Sequence, residues 1–434
     1  MNETVFGLST VRGRSGIAVV RISGDLAFDC FRRFSICEPA PRKASVQWLK
    51  EPNTSEPIDH AVILRFDAPA SFTGEDVVEL HLHGSIAVCD AVLGVLRGMD
   101  GFRDAEPGEF TRRALMNGKL DLSEAEGIGD LLAAETAAQR RQAVALLGGA
   151  LGHLAGRWRS DLVGSLAKIE AGIDFADEDL PDEILSGVCR ALDDVALEME
   201  AQLDGSHAAE RLREGFEVAL IGPPNAGKST LLNRLAGRDA ALTSDVPGTT
   251  RDVIEVRLDV GGLPVTFLDM AGLRKTSDVV EALGVARARE RAEAADIRVF
   301  LLDGTFDMGG LEVGFFPGDV VVRAKSDIVD AGPGIPVSGL TGIGIDDLLA
   351  AVLAELEGRV SSASVASHGR HRIAIGESAV ALRSAAEHLR KEGGQVELAA
   401  AEITKALRGI DFLVGRVDIE SVLGEIFASF CIGK

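Results

Sequence analysis

At 434 residues the chain exceeds what one hydrophobic core organises, which sets an expectation of two or three domains. A composition of 46% hydrophobic and 26% charged residues excludes a disordered chain, and no apolar run approaches the roughly 20 residues needed to span a bilayer. The net charge of −22 excludes a generic polyanion binder, so any nucleic-acid contact must rest on a local basic patch. The opening residues MNETVFGLST carry no basic stretch leading into an apolar run, so no secretory leader is expected. Cys30, Cys37, Cys89, Cys189 and Cys431 are scattered, without the paired spacing of a zinc site. That pattern points to reduced thiols and a cytoplasmic location.

Residues 16–22 (GIAVVRI), 60–66 (HAVILRF) and 76–82 (DVVELHL) read as short strands, and 86–96 as a helix, giving a small α+β domain. Leu122, Ala125, Ile128, Leu131 and Leu132 mark a helix. Leu147, Leu151, Leu154, Trp158, Leu162, Leu166, Ile169 and Ile173 mark a longer one, with a break between the two helices near Gly148 and Gly149. The acidic residues 174–183, with Pro181, read as a solvated turn, and 188–203 as a further helix. Strands and helices then alternate over 217–356, the pattern of a parallel sheet with crossover helices. After a Ser-rich linker, 361–367, helical patterning resumes at about Ile375. The economical arrangement packs both helical segments together with the α/β unit inserted between them.

The segment 217–221 (EVALI) followed by GPPNAGKS and a helix has the strand–loop–helix context of a phosphate-binding loop. Backbone amides of Asn225, Ala226 and Gly227 can curl about phosphate oxygens at the helix N-terminus, which Thr230 continues. Lys228 is placed for the β- and γ-phosphates, and the Ser229 hydroxyl for Mg²⁺. Downstream, Pro247, Gly248, Thr249 and Thr250 (PGTT) supply a second Mg²⁺ hydroxyl, Thr250. The segment Asp269, Met270, Ala271 and Gly272 (DMAG) ends a strand, with Asp269 facing the metal and the Gly272 amide sensing the γ-phosphate. Lys325 and Asp327 read guanine, because a carboxylate accepts from two adjacent N–H groups that adenine does not present. Ser338 and Gly339 form the last base-contacting loop.

Three departures stand out. The guanine-reading motif usually begins with Asn, and Ala324 stands there; a lost hydrogen bond costs roughly 1–3 kcal/mol. Only about 15 residues separate Asp303 from Asp319, short for a crossover helix. Leu273 follows Gly272 where Ras-like enzymes place a water-orienting Gln, so that role must lie elsewhere.

Taken with GRSGIAVVRISG (13–24), FTGEDVVELHLHG (72–84), PGEFTRRALMNGKLDLSEA (107–125) and the terminal CIGK (431–434), these motifs resemble the MnmE/TrmE tRNA-modification GTPases along essentially the whole chain. The resemblance implies a multidomain α/β protein. It has an N-terminal α+β folate-binding-like domain (1–118), a discontinuous helical domain (119–214 and 358–434) and an inserted Ras-like P-loop GTPase domain (215–357). It implies a homodimer acting with an FAD-dependent partner protein on the wobble uridine of certain tRNAs, away from membranes. A folate such as 5-formyl-tetrahydrofolate would supply a one-carbon unit. It extends the nucleotide contacts over Ser244, Asp245 and Val246, and places K⁺ on Asn225, Ser244, Val246 and Thr249. It assigns the water-orienting carboxylate to Glu281, folate contacts to Arg21, Glu79, Lys119 and Lys434, and a possible functional thiol to Cys431. Arg251 and Arg274 are further switch candidates. A regulatory GTPase switch in ribosome assembly, without modification chemistry, stays open at this point.

Overall fold

The protein is described by a computed structural model covering all residues except 1–2, 175–181, 224, 239, 243–254, 270–293, 303–315, 330, 392–394, 418–422, 425, 428–429, 431–432 and 434. It divides into two compact units.

The first unit comprises Met1–Gly129, Leu146–Arg157 and Ile410–Lys434. Its strands are β1 (Thr4–Leu8), β2 (Ser15–Ser23), β3 (Ser45–Lys50), β4 (Pro57–Phe66), β5 (Val77–Gly84) and β6 (Phe102–Asp104), in the order β3-β4-β5-β2-β1-β6. Helices α1 (Asp29–Arg33), α2 (Ile86–Arg97) and α3 (Glu109–Met116) complete the α+β layer, and α4 (Leu122–Ala133) follows. Alternation decides which face is covered: Val20, Ile22, Ile63, Leu80 and Leu82 are buried with Val92 and Leu96 of α2. Each fully buried aliphatic side chain contributes about 1.5–3 kcal/mol. The intervening residues Arg21, Glu79 and His81 therefore fall on the other face, where Val46 and Trp48 of β3 lie exposed.

Charges of the FTGED and PGEFTRR segments hold each other. Arg103 donates to both carboxylate oxygens of Glu109 at 2.8 and 2.7 Å, and Arg113 bridges Glu109 to Glu75 at 3.0 Å. Burial alone would raise the Glu109 pKa, but bonds from Arg103, the Glu106 N–H and Arg113 outweigh it, lowering it from 4.5 to about 2. A carboxyl depressed in the folded state stabilises above its unfolded pKa and loses that contribution as pH falls. Glu109→Gln should therefore cost about 3 kcal/mol near neutrality, and the gap to wild type should close between pH 4.5 and about 2. Denaturant unfolding across that window checks it; a gap independent of pH would count against the ion-pair account.

The chain end returns to this unit. Phe427 and Phe430, with ring centroids 5.3 Å apart, pack with Leu115, Leu122 and Ala125. Ser9 Oγ donates to the Gly433 carbonyl at 2.8 Å. Gly433 has φ +97°, and a Cβ there would stand 2.3 Å from the Leu8 carbonyl, so only glycine fits.

The second unit comprises Asp130–Ala145 and Trp158–Gly409. Helices α5 (Ala137–Leu147), α6 (Ala150–Asp174) and α7 (Asp182–Glu214) lead into the second sheet. Gly149, at φ +78°, separates α5 from α6, matching the expected break. α7 is longer than the expected 188–203. The acidic stretch read as a turn contributes Asp174 to α6 and Asp182 and Glu183 to α7, its middle lying outside the described residues.

The strands are β7 (Phe216–Ile221), β8 (Glu255–Val260), β9 (Leu263–Asp269), β10 (Ile297–Leu302), β11 (Val320–Ala324) and β12 (Ile335–Val337), ordered β12-β11-β10-β7-β9-β8. Pairing is parallel except at the edge, where β8 and β9 form an antiparallel hairpin over Gly261 and Gly262. Beside the short 303–319 connection, Arg298 pairs bidentately with Asp319, both side chains 5% exposed. Helices α8 (Lys228–Ala236), α9 (Ile345–Val360), α10 (Gly369–Arg390) and α11 (Val396–Leu413) complete the described elements.

α7 and α10 pack together along their length, with Arg383 bridging Glu200 and Asp193 at 2.7 and 3.0 Å. The helical segments before and after the sheet thus belong to one helical body. α5 begins with a reciprocal capping box: the Gln139 N–H donates to Thr136 Oγ1, and Gln139 Oε1 accepts from the Thr136 N–H. The N–H one residue earlier, of Ala138, donates to the Gly262 carbonyl of the β8–β9 hairpin at 3.1 Å. The Ala138 side chain joins Leu212, Phe216 and Val260 in the core beneath the sheet, and Arg257 of β8 pairs with Glu135 at 2.9 Å.

Candidate functional site

The nucleotide site grows from the C-terminal ends of the parallel strands, where open α/β sheets bind ligands. β7 is buried along nearly its full length and delivers the chain into the loop 222–227. Asn225 and Gly227 take positive φ values of +64° and +99°, curling the loop before α8 starts at Lys228. The first amides of α8 lack intrahelical partners and carry the positive end of the helix dipole, which suits phosphate. Lys228 is 7% exposed; its ammonium donates to the Gly222 and Pro223 carbonyls at 2.8 and 3.0 Å. Burial lowers its pKa, with the Asp269 charge opposing the shift. Thr230 is exposed on the first turn of α8.

Asp269 ends β9 beside this loop. Its Oδ2 accepts the Ser229 hydroxyl at 2.8 Å, whereas its buried Oδ1 has no hydrogen-bond partner among the described residues. A carboxylate with one uncompensated buried oxygen beside a hydroxyl fits a hard divalent cation. Ser229 and Asp269 would hold Mg²⁺, which when bound supplies charge neutralisation for the β- and γ-phosphates.

The base pocket is a cavity of about 230 Å³ between α8, β11 and the loop after β12; its walls include Ala226, Thr230, Ala324, Lys325, Asp327 and Gly339. Lys325 is held at φ +55°, and its carbonyl accepts the amides of Ile328 and Val329 at 2.8 and 2.9 Å. The Ser326 N–H donates to the Val337 carbonyl at 3.2 Å, tying the motif to the last loop. A Cβ at Gly339 would lie 2.8 Å from the Leu231 nitrogen, so glycine lets this loop close on α8. Ser338 is buried, its N–H donating to the Ile343 carbonyl and its hydroxyl accepting the Thr341 N–H. Sequence reasoning missed Arg234, which pins the loop by donating to the Gly339 and Leu340 carbonyls.

Asn225, Ala226, Gly227, Lys228, Ser229, Thr230 and Asp269 thus converge at one end of the sheet, next to Lys325, Asp327, Ser338 and Gly339. Ser244, Asp245, Val246, Pro247, Gly248, Thr249, Thr250, Met270, Ala271, Gly272 and Glu281 lie outside the described residues, as do Cys431 and Lys434.

In the first unit, Arg21 and Glu79 sit directly opposite on β2 and β5. Arg21 donates through Nε and Nη2 to Glu79 Oε1 at 3.0 and 2.9 Å, and His81 Nε2 lies 3.2 Å from Oε2. The Arg21 guanidinium also lies over the Phe72 and Phe110 rings at 5.3 and 5.6 Å. Both members of the ion pair are partly buried, at 18% and 17% exposure, and so remain within reach of a ligand. Lys119 is exposed; its methylenes lie 3.4 Å from a Cβ built at Gly74, on the loop that carries Phe72. The Glu75–Arg113–Glu109 network fixes that same loop, a positioning role hidden in the sequence because it depends on side chains far apart in the chain.

A loop and helix N-terminus for phosphates, a Ser–Asp pair for Mg²⁺ and a carboxylate-bearing base pocket define a P-loop GTPase, and the chain is a GTP hydrolase. Comparison with known proteins gives the particular family. The model of the GTP-binding protein TrmE N-terminus matches residues 4–119, and that of the MnmE helical domain matches 122–431. The chain is 51% identical over 432 residues to a tRNA modification GTPase MnmE of Cereibacter sphaeroides and 50% identical over 434 residues to one of Roseobacter denitrificans. Each match covers 100% of both chains. Among solved structures, Aquifex aeolicus Era bound to GDP·AlF4⁻ is 29% identical, covering 32% of this chain and 56% of that one at a TM-score of 0.26. The chain belongs to the MnmE/TrmE family. Among the described residues, no helix is long and apolar enough to cross a membrane.

Proposed function

We propose that the chain is the GTP-hydrolysing subunit of a tRNA-modifying enzyme. With an FAD-dependent partner protein it adds a carboxymethylaminomethyl group to C5 of the wobble uridine. The observation that carries this reading is the pairing of two built sites in one chain: the Ser229–Asp269 nucleotide site and the partly buried Arg21–Glu79 pair. A pure regulatory switch has no use for the second. Nucleoside analysis of tRNA from cells lacking this protein tests it. Loss of the modified wobble uridine is expected; an unchanged nucleoside profile would overturn the proposal.

In this reading the domains run 1–118, 119–214, 215–357 and 358–434, the second and fourth forming the helical body. The G domain cycles with Mg²⁺ on Ser229 and Thr250, and with K⁺ on Asn225, Ser244, Val246 and Thr249. Glu281 orients the attacking water. The exposed Val46 and Trp48 on the outer sheet face support a homodimer built through the N-terminal domain.

The same face supports a reduced folate on Arg21, Glu79, Lys119 and Lys434. A carboxylate suits the donor edge of a pterin, and a guanidinium or ammonium suits the carboxylates of a glutamyl tail. The folate, when bound, supplies a one-carbon unit. Because Gly433 is seated against Leu8, the chain end is tied to this unit, a few residues from Cys431 and next to Lys434. Deleting residues 431–434 should weaken 5-formyl-tetrahydrofolate binding by about tenfold or more and leave GTP hydrolysis largely intact. Calorimetric titration of the truncated protein decides it, and unchanged affinity would remove the C-terminus from the site.

A further inference from the structure

Guanine presents two kinds of edge: the N1–H and N2–H donors, and the O6 and N7 acceptors. The base pocket is provided for these very unequally. Asp327 is exposed at its rim, available to accept from the donors. Three residues before it, Ala324 ends β11 in the same lining, is 3% exposed, and is paired in register with Val337. Its methyl group belongs to an apolar surface shared with Ala226, Leu301 and Val322. Ser338 is tied into its own loop, its N–H donating to the Ile343 carbonyl and its hydroxyl accepting the Thr341 N–H. The motif keeps its shape without a side-chain amide at position 324, through the backbone bonds of Ser326, Ile328 and Val329.

We propose that Ala324 leaves guanine N7 unread, so that this pocket takes guanine nucleotides irrespective of the atom at position 7, with Asp327 supplying the selection against adenine. With N1–H and N2–H on Asp327, the N7 edge turns toward the Ala324 wall, which offers contact but no hydrogen bond. The substrate class therefore extends to 7-deaza-guanine nucleotides, while adenine nucleotides remain excluded for want of the donor pair. The inference rests on the GTP-binding reading of the cavity.

Equilibrium binding of GTP and 7-deaza-GTP to the full chain with Mg²⁺ tests it. The two affinities should agree within about twofold, whereas Ala324→Asn should prefer GTP by about 5–10-fold, the worth of one neutral hydrogen bond. A preference of fivefold or more for GTP in the wild-type protein shows that N7 is read elsewhere and overturns the proposal. If folded Ala324→Asn discriminates no better than wild type, position 324 lies away from N7 and the assignment fails. Should the variant not fold, the wild-type comparison decides by itself. Binding of neither nucleotide would remove the GTP site, a failure distinct from loss of N7 indifference.

Discussion

Glu281→Ala is expected to lower GTP turnover by about 10²–10⁴-fold while leaving nucleotide affinity within about twofold. The expectation starts from Leu273, an apolar residue where a Gln would otherwise orient the attacking water. An alkyl side chain can neither accept nor donate a proton, so the polarising group must come from another part of the chain. Under the proposed function Glu281 takes that role. A group acting on water rather than on GTP affects the transition state and leaves ground-state binding alone, so kcat falls with little change in affinity. Single-turnover hydrolysis together with fluorescent-nucleotide binding separates the two quantities. A parallel collapse of affinity and rate would make Glu281 structural.

Exchanging K⁺ for Na⁺ at matched ionic strength should slow hydrolysis by on the order of 10²-fold, comparable to losing one preorganised charge-stabilising group. The phosphate loop presents Asn225 exposed and in the left-handed region, which asparagine tolerates better than most residues. A monovalent cation between its side chain and the phosphates can occupy the place where other GTPases bring an arginine finger. On the proposed reading the cation would be shared between Asn225 and the segment carrying Ser244, Val246 and Thr249. Turnover measured in the two salts is decisive, and equal rates would remove the cation from catalysis.

Much of this site was legible because its cues are local. The P-loop needs only a buried strand, a glycine-bearing turn and a helix start, and all three are contiguous from Phe216 to Ala236. Glu79 could be aimed away from the core by alternation alone, since Val78 and Leu80 are apolar on either side. That it faces Arg21 was not legible, because strand register depends on how β2 and β5 pair, and a slip of one residue reverses every side chain. Arg234 stayed hidden for a related reason: its partner at Gly339 is a backbone carbonyl 105 residues away. The end of α7 was underestimated because Leu212 is the single large apolar residue in 204–214, too few to mark an apolar stripe. Packing stabilises them instead, through the Arg372–Glu210 pair with α10 and the seating of Leu212 in the sheet's core. α5 was missed because AAQRRQAVALL has a weak apolar face, although its Thr136–Gln139 capping box was there to be read.

That capped end of α5 bears on how far the G domain is a transferable module. An insertion cut out at 215–357 would leave behind Ala138 and Leu212, two residues of the apolar core under the sheet. The excised piece would expose Phe216 and Val260, strip the Gly262 carbonyl of its donor and leave Arg257 without Glu135. The unit that evolution can exchange, or a biochemist can express alone, is therefore larger than the stretch carrying the nucleotide motifs. It includes a helix start contributed from nearly eighty residues upstream of β7, and grafts that ignore it should be less soluble than grafts that carry it.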